Sequence, residues 1–470
     1  MRHYYTADAI RAAEAPLLAS QPDGALMRRA AHGLAAAVAA ELRARFHAVA
    51  GRQVCAVVGS GDNGGDALWA AALLRRRGVT ASAVLLNPDR AHAAGLAAFR
   101  RAGGRVVAAI PPATDLVIDG VVGISGRGPL RADAAAVFDA CAAPVVAVDI
   151  PSGLDVQTGA ADGPHVRAAL TVTFGGLKPV HALGECGRIE FIDIGLRLPP
   201  SAVHSLEAGD VSARWPMPGP HDDKYSQGVT GVLAGSATYP GAALLCTGSA
   251  VAATSGMVRY AGSAAAEVVT RWPEVVAAPR PDAAGRVQAW VVGPGLGTDE
   301  SAARTVRFAL GTDLPVIVDA DALTLLAAQP DLVRARTAPT VLTPHAGEYE
   351  RLAGHPVGAD RVGAAQELAE RFGATVLLKG NVTVIAHPAA VTYLNPAGQS
   401  WAATAGSGDV LSGVIGALLA AGLPAAEAAA MAAFVHARAA GLAAADPGPR
   451  AAPTSAEGIL AHLRSSVAKL

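Results

Sequence analysis

The sequence predicts an α/β protein of two domains, each built on a mostly parallel sheet with helices on both faces. Three observations predict it. Strand-length runs that are apolar throughout, such as QVCAVVG, ASAVLLN and PVVAVDIPSG, alternate with helical segments. Strands of that kind belong to a sheet covered on both sides. The chain has 470 residues, against roughly 100–200 for one domain. The α/β periodicity also stops over 198–228, a Pro/Gly-rich stretch, and then resumes.

The elements follow in order. Residues 1–50 read as two helices, with Thr6 a suitable N-cap for the first. A strand at 53–58 leads through the Gly-rich loop 59–65 into a helix, DALWAAALLRRRG. The strands ASAVLLN, DLVIDGVVG, PVVAVDIPSG and LTVTFGG continue the series. The aperiodic stretch sets the domains at 1–205 and 206–470. After it come VTGVLAG, VQAWVVGPGLG, PVIVDADALTLLA, PTVLTPHAGEYERL and ATVLLKGNVTVIA, closed by two helices at 409–421 and 425–445.

Composition excludes several classes. The net charge of −1 argues against a broad nucleic-acid or membrane surface. The four cysteines, Cys55, Cys141, Cys186 and Cys246, have no metal-ligand spacing and read as reduced, buried residues of a cytoplasmic protein. MRHYYTADAIRAAE carries charges and no apolar run, so no signal peptide is expected. The apolar stretches 242–258 and 410–423 are broken by Gly, Ser and Thr, as in buried helices rather than membrane spans. Only Lys178, Lys224, Lys379 and Lys469 are lysines among 38 basic residues. Lys178, Lys224 and Lys379 each lie in a Gly-containing loop, where ligands bind and where surface lysines are equally at home.

The tetrapeptide GSGD occurs twice, at 59–62 and 406–409. In the second copy Gly406 and Gly408 precede a helix starting near Asp409. Unpaired amides at such a start hold anions, and glycines let a phosphate approach the backbone. Asp409 there can take a proton from an attacking hydroxyl, or simply cap the turn. Lys379, Gly380 and Thr383 sit on a strand–loop–strand suited to nucleotide phosphates. His345 with Glu348, the GPGLG glycines and DADAL also follow strands, at the ends where open α/β sheets bind ligands.

The order KYSQG, GSATYPGAALL, GPGLG, VDADALTLLA, TPHAGEYERL, LLKGNVTVI and TAGSGDVLSGVIGALLAAG resembles the NAD(P)H-hydrate dehydratase family over about 224–445. The resemblance implies a ribokinase-like α/β/α fold and ADP-dependent removal of water from the hydrated nicotinamide ring of NADHX and NADPHX. It implies that Asp409 is the catalytic acid/base. Ala242, Gly295 and His345, with Asp409, would line the hydrate pocket. Lys379, Gly380, Asn381, Val382, Thr383 and Gly408 would hold the nucleotide, which magnesium accompanies.

The first copy, GSGDNGGDALW, lacks the Lys-Ser/Thr of a P-loop and the spacing of the dinucleotide fingerprint. Asp119 and then Asp149 with Ser152 end two further strands. Asp149 is an acid/base candidate or a turn cap. Asn63, Asp119 and Ser152 offer only oxygen ligands, which suit a hard cation. Together these segments resemble the NAD(P)H-hydrate epimerase (YjeF N-terminal) family over about 1–205, which implies a Rossmann-like α/β/α sandwich. The resemblance implies hydrate contacts from Asp62, Asn63, Gly64, Gly65 and Asp66. It adds Gly123, Ile124, Ser125, Gly126, Arg127, Gly128 and Pro129, with Asp149 catalytic. Potassium would sit on Asn63, Asp119 and Ser152. Asp62 and Ala67 replace the family's usual Asn and Gly. Ala67 fits only with a negative φ, as at a helix start.

The whole therefore reads as a bifunctional repair enzyme acting on NADHX or NADPHX and ADP, with homo-oligomerisation left open. A small-alcohol kinase fused to a non-catalytic binding domain is the alternative.

Overall fold

The runs of Val, Leu, Ile and Ala read as strands form two separate sheets. The computed structural model describes every residue except Ser125, Arg127 and Ser255. The chain divides into one unit of His3–Ala202 and another of Met1–Arg2 with Val203–Leu470.

In the N-terminal unit the strands lie in the order Arg105–Val107, Thr80–Leu85, Gln53–Val58, Leu116–Gly120, Val145–Val148, Ala168–Phe174, Arg188–Ile192. All are parallel. Gln53–Val58 and Leu116–Gly120 are buried almost end to end. Each fully buried Val, Leu or Ile side chain contributes roughly 1.5–3 kcal/mol. The chain runs outward from Gln53–Val58 to one edge and then restarts at Leu116–Gly120 toward the other. Such a reversal leaves a crevice at the carboxyl ends of the two central strands, where sheets of this kind bind ligands.

The first helix, Ala7–Ser20, has Thr6 at its N-cap, where the hydroxyl accepts from Ala9 N at 3.2 Å. The glycine loop is shorter than the sequence suggests. The helix runs Asp62–Arg75, so Asp62, Asn63, Gly64, Gly65 and Asp66 form its opening turns and only 59–61 is loop. Close packing is the cause: a Cβ at Gly64 would meet Gly59 O at 2.4 Å and one at Gly65 would meet Met27 Cε at 2.8 Å, so the glycines permit close approach rather than a turn. Ala67 is helical, and it fits because residue 120 is glycine. A Cβ there would stand 2.6 Å from that of Ala67.

In the C-terminal unit the strands drawn from Val203–Leu470 lie in the order Val203–Ser205, Thr392–Pro396, Val382–Ala386, Thr375–Leu378, Thr340–Leu342, Val316–Val318, Ala289–Val292, Val229–Leu233, Met257–Ala261, Val276–Ala278. Only the pairings of Val382–Ala386 with its two neighbours are antiparallel. The reversal point here lies between Val229–Leu233 and Ala289–Val292, whose following loops are tied by Gly235 N donating to Pro294 O at 2.7 Å.

Two expectations change. The stretch 198–228 is not all linker: Val203–Ser205 is a strand pairing with Thr392–Pro396, and Ala208–Ser212 is a helix. Elements this short carry too little periodicity to register. The chain also closes with three helices, Ser407–Ala420, Ala425–Ala445 and Ala456–Ala468, the last resuming after a Pro/Gly break. The runs expected to be buried helices include Pro240–Ala253 and Ser407–Ala420, which pack on each other. A Cβ at Gly413 would meet Ser249 Oγ at 2.0 Å, so glycine sets their approach. Ala425–Ala445 alone, among the described residues, is long and apolar enough to cross a membrane, and 67% of that window is buried within the protein.

Candidate active sites

In the C-terminal unit the site grows from three strand ends and one helix start. Asp319 follows Val316–Val318 and is buried. Its Oδ1 accepts from Lys379 Nζ at 2.8 Å and Thr343 Oγ1 at 2.8 Å, and its Oδ2 accepts from Ser412 Oγ at 2.7 Å. Lys379 Nζ also stands 3.4 Å from Glu348 Oε2. Burial raises Asp319, but the lysine and the hydrogen bonds outweigh it and hold the carboxylate below its ordinary range. Burial likewise pulls Lys379 down, and Asp319 and Glu348 more than restore its charge. The loop 379–381 joins the antiparallel strands Thr375–Leu378 and Val382–Ala386. Val382 is buried, so it offers backbone rather than side chain.

Asp409 lies in the first turn of Ser407–Ala420, whose N-cap Gly406 has φ 82°, a left-handed backbone that glycine adopts freely. Its carboxyl group is pushed up to about 7, chiefly by burial, then by Asp319, with Lys379 opposing. A methyl group added at Gly408 would stand 3.7 Å from Lys379 Nζ and 3.8 Å from Asp319 Oδ2. The lysine pair and the open amides of the helix therefore face one space. A cavity of about 570 Å³ beside them is lined by His345, Lys379, Gly380, Asn381, Thr383 and Gly408 among others. His436, which sequence reasoning missed, also lines it. It is buried, its Nε2 lies 3.0 Å from Ser407 O, and burial lowers it to about 4, so it is neutral at pH 7. His345 caps Ala346–Ala353, its Nδ1 accepting from Gly347 N and Glu348 N. Ala242 and Gly295 meet at the reversal point, where a Cβ on Gly295 would lie 2.7 Å from that of Ala242. They do not line the His345 cavity.

Lys379 is thus no free phosphate clamp. Lys379→Gln is expected to leave Asp319 without its countercharge and to raise Asp409 further, because the lysine now lowers it. Breaking a fully buried pair costs about 3–5 kcal/mol. The cost here is smaller, since Lys379 keeps 22% of its side-chain exposure. The check is the acid limb of the pH–kcat/KM profile of the reaction in which Asp409 takes a proton, which should move to higher pH. A lysine that only touched phosphate would raise the KM for a phosphate-bearing ligand without moving that limb.

In the N-terminal unit Asp149 is buried at φ 68° just after Val145–Val148. Its Oδ1 accepts from Lys178 Nζ at 2.5 Å and Thr173 Oγ1 at 3.0 Å. Lys178 is 1% exposed and its ammonium also reaches Phe174 O at 3.4 Å. His181 Nδ1 accepts from Lys178 N at 2.9 Å, so its Nε2 carries the proton and donates to Asp149 O at 2.8 Å. Burial, then Lys178, lowers His181 to about 4, which keeps it neutral. A cleft of about 440 Å³ is lined by Asp149, Lys178, Asp62, Asn63, Asp66 and Glu14 among others. Burial raises Asp66 well above the ordinary carboxylate range, with Asp149 and Asp62 adding to it. Its Oδ1 is buried without a partner. Glu14 is raised chiefly by burial.

Asp119 and Ser152 are hydrogen-bonded to each other, and Asn63 reaches the same loop through Val122. Asp119 is fully buried and accepts from Ser152 Oγ at 2.7 Å, Ser152 N at 2.8 Å and Val121 N at 3.2 Å. Val122 N donates to Ser152 Oγ, and Asn63 Nδ2 donates to Val122 O and Val148 O. Every partner of Asp119 is neutral, and burial raises it to about 6. One buried carboxylate with neutral oxygens around it is an oxygen-only set, whose chemistry fits a hard cation. Gly123, Ile124, Gly126, Gly128 and Pro129 form the loop after Leu116–Gly120, with Gly123 packed against Asn63. Ser125 and Arg127 lie outside the described residues.

Two family models match the chain: a YjeF-related protein N-terminus over 23–180 and an NAD(P)H-hydrate dehydratase over 230–462. The bifunctional NAD(P)H-hydrate repair enzyme Nnr of Mycobacterium tuberculosis is 72% identical, and that of Mycobacterium leprae 70%, each over 100% of both chains. The chain belongs to the bifunctional NAD(P)H-hydrate repair enzyme family. The enzyme of that name from Corynebacterium glutamicum is 38% identical over 89% of this chain and 87% of its own. Among solved structures, the ADP/ATP-dependent NAD(P)H-hydrate dehydratase of Bacillus subtilis co-crystallised with ATP and Mg²⁺ is 30% identical. It covers 57% of this chain and 98% of its own, with a TM-score of 0.50. A ribokinase-like protein of Enterococcus faecalis, 23% identical with a TM-score of 0.52 over 58% of this chain and 98% of its own, shares the C-terminal fold. The kinase alternative is less supported, because the whole chain aligns with the two-domain repair enzymes.

Proposed function

We propose that the N-terminal unit interconverts the R and S forms of NADHX and NADPHX, and that the C-terminal unit dehydrates the S form at the expense of ADP. The observation that carries the dehydratase reading is Asp409 in the first turn of Ser407–Ala420, near the Lys379–Asp319 pair, its carboxyl group pushed up to about 7 chiefly by burial. Hydroxide is a poor leaving group. Transfer of the terminal phosphoryl group of ADP to the ring hydroxyl yields AMP and a phosphate ester. Expulsion of phosphate with loss of the adjacent ring proton restores the double bond. Asp409 takes the hydroxyl proton, and the amides opening Ser407–Ala420 hold the phosphoryl oxygens. No cluster of three or more His, Cys, Asp or Glu forms a metal cage among the described residues. Magnesium would then be carried by the nucleotide phosphates, supplying charge neutralisation there.

In the epimerase cleft the ring carbon bears both the hydroxyl and the ring nitrogen. Asp149 takes the hydroxyl proton as the carbon–nitrogen bond opens to an aldehyde. The proton passes to the departing nitrogen, and reclosure on the other face returns it. Lys178 Nζ, paired with Asp149 Oδ1, fixes the carboxyl group in the cleft for this task. Potassium would be held by Asn63, Asp119 and Ser152, supplying positive charge beside a phosphate-bearing substrate. Replacing potassium by tetramethylammonium at constant ionic strength is expected to lower epimerisation and the melting temperature of the N-terminal unit. Unchanged rate and melting would remove the cation from this site. The cytoplasm, where reduced nicotinamide cofactors are used, is the proposed location.

The decisive experiment incubates each purified epimer with ADP, with ATP and without nucleotide, and follows the return of reduced-nicotinamide absorbance. The S form should recover with ADP directly, and the R form at the pace of epimerisation. Absence of recovery from either form would end this reading.

A further inference from the structure

A second cleft in the N-terminal unit, of about 490 Å³, adjoins the one holding Asp149, and both are lined by Gly61. Together they flank the loop that follows Gln53–Val58, at the reversal point of the sheet. The two clefts differ in charge. The first presents Glu14, Asp62, Asp66 and Asp149 against one lysine, Lys178. The second presents Arg90 and Arg131. Both arginines are exposed, and neither guanidinium has a hydrogen bond or ion pair among the described residues. The acid in that cleft, Asp133, already accepts from Ala134 N at 2.9 Å.

A dinucleotide has two bulky ends joined by a pyrophosphate. An acidic cleft repels phosphate and a basic one attracts it, so charge alone orders the molecule across Gly61. The hydrated ring goes to Asp149 and the phosphorylated adenosine half to the arginines. In dinucleotide-binding sheets the segment beyond the strand next to the glycine loop meets the adenosine ribose. An acid there accepts from a 2′-hydroxyl, whereas an arginine accommodates a 2′-phosphate. Here that strand is Thr80–Leu85, paired along its length with Gln53–Val58, and the segment beyond it carries Asn87, Asp89 and Arg90. Arg90 lines the cleft and Asp89 does not.

We propose that this second cleft binds the adenosine end of the hydrate, and that Arg90 with Arg131 selects the form bearing a 2′-phosphate, NADPHX, over NADHX. The inference rests on the epimerase reading above and names the part of the substrate that reading leaves unplaced.

The test measures kcat/KM for epimerisation of R-NADPHX and R-NADHX by the full chain, with epimers separated chromatographically in the absence of ADP. Arg90→Ala and Arg90→Ala/Arg131→Ala are compared with the unsubstituted protein. The NADPHX-to-NADHX ratio should fall about 10–100-fold in the double variant, the scale of lost charge-assisted hydrogen bonds. 2′,5′-ADP should inhibit the unsubstituted protein more strongly than 5′-AMP, and that difference should vanish with the arginines. A ratio unchanged within about twofold, or an equal loss for both hydrates, overturns the proposal. Failure of the unsubstituted protein to epimerise either hydrate would instead strike the epimerase reading itself.

Discussion

Asp409→Asn is expected to stop ADP-dependent dehydration while the same chain continues to epimerise. Loss of a general base costs about 10²–10⁴ in rate. Asp409 is the acid/base candidate in the first turn of Ser407–Ala420, close enough to Lys379 and Asp319 to feel both charges, so little remains to replace it. The pH dependence has a definite sign. The carboxyl group must be ionised to accept a proton, and its value is raised to about 7. Activity should therefore rise as pH climbs through about 7 instead of the ordinary carboxylate range. Stability runs the other way. A carboxyl whose folded value lies above its unfolded one favours folding fully below the unfolded value, and that contribution is lost as pH rises through about 7. Asn cannot ionise, so thermal melting at pH 8 should show the variant at least as stable as the unsubstituted protein. Near-normal turnover by the variant, or a melting point lowered at pH 8, would refute the role given to Asp409.

Much of this arrangement is legible in the sequence because its signals are local. Asp409 stands beside two glycines at a helix start, and Asp149, Asp319, His345 and Lys379 each directly follow an apolar strand or the proline that ends one. What local pattern does not carry is who pairs with whom. Lys178 and Asp149 are 29 residues apart, and Lys379 and Asp319 are 60 apart. A scarcity of lysine marks both cations as unusual without naming a partner. Edge strands escape for a related reason. Arg105–Val107 and Arg188–Ile192 are partly exposed and carry charge, so the apolar run that betrays a central strand is missing. Glycines misled in the opposite sense. Gly64 and Gly65 read as loop by propensity, yet close packing makes them helical. His436 gives no signal at all within the Ala-rich stretch around it. Only the fold brings it to the start of Ser407–Ala420.

Asp149→Asn is expected to lower epimerisation about 10²–10⁴-fold and leave dehydration of the S epimer running. Asn is the informative substitution. Asp149 sits at φ 68°, which Asn tolerates as well as Asp, so the backbone has no reason to shift. The charge balance does change. Lys178 is 1% exposed, and its ammonium would lose its anion while keeping Thr173 Oγ1 and Phe174 O. Removing one partner of a buried pair costs roughly 3–5 kcal/mol, much of it the desolvation of the charge left behind. The single variant should therefore melt earlier as well as epimerise slowly. The two effects separate in the double variant Asp149→Asn/Lys178→Met, which removes both charges and retains a flexible apolar stem in the same space. Its stability should recover most of the loss, since well-packed apolar substitutes for buried pairs are often neutral or better. Its epimerisation should not recover, because position 149 still has no proton acceptor. Recovery of rate together with stability would show that the pair only holds the cleft in shape, and Asp149 would lose its place in the chemistry.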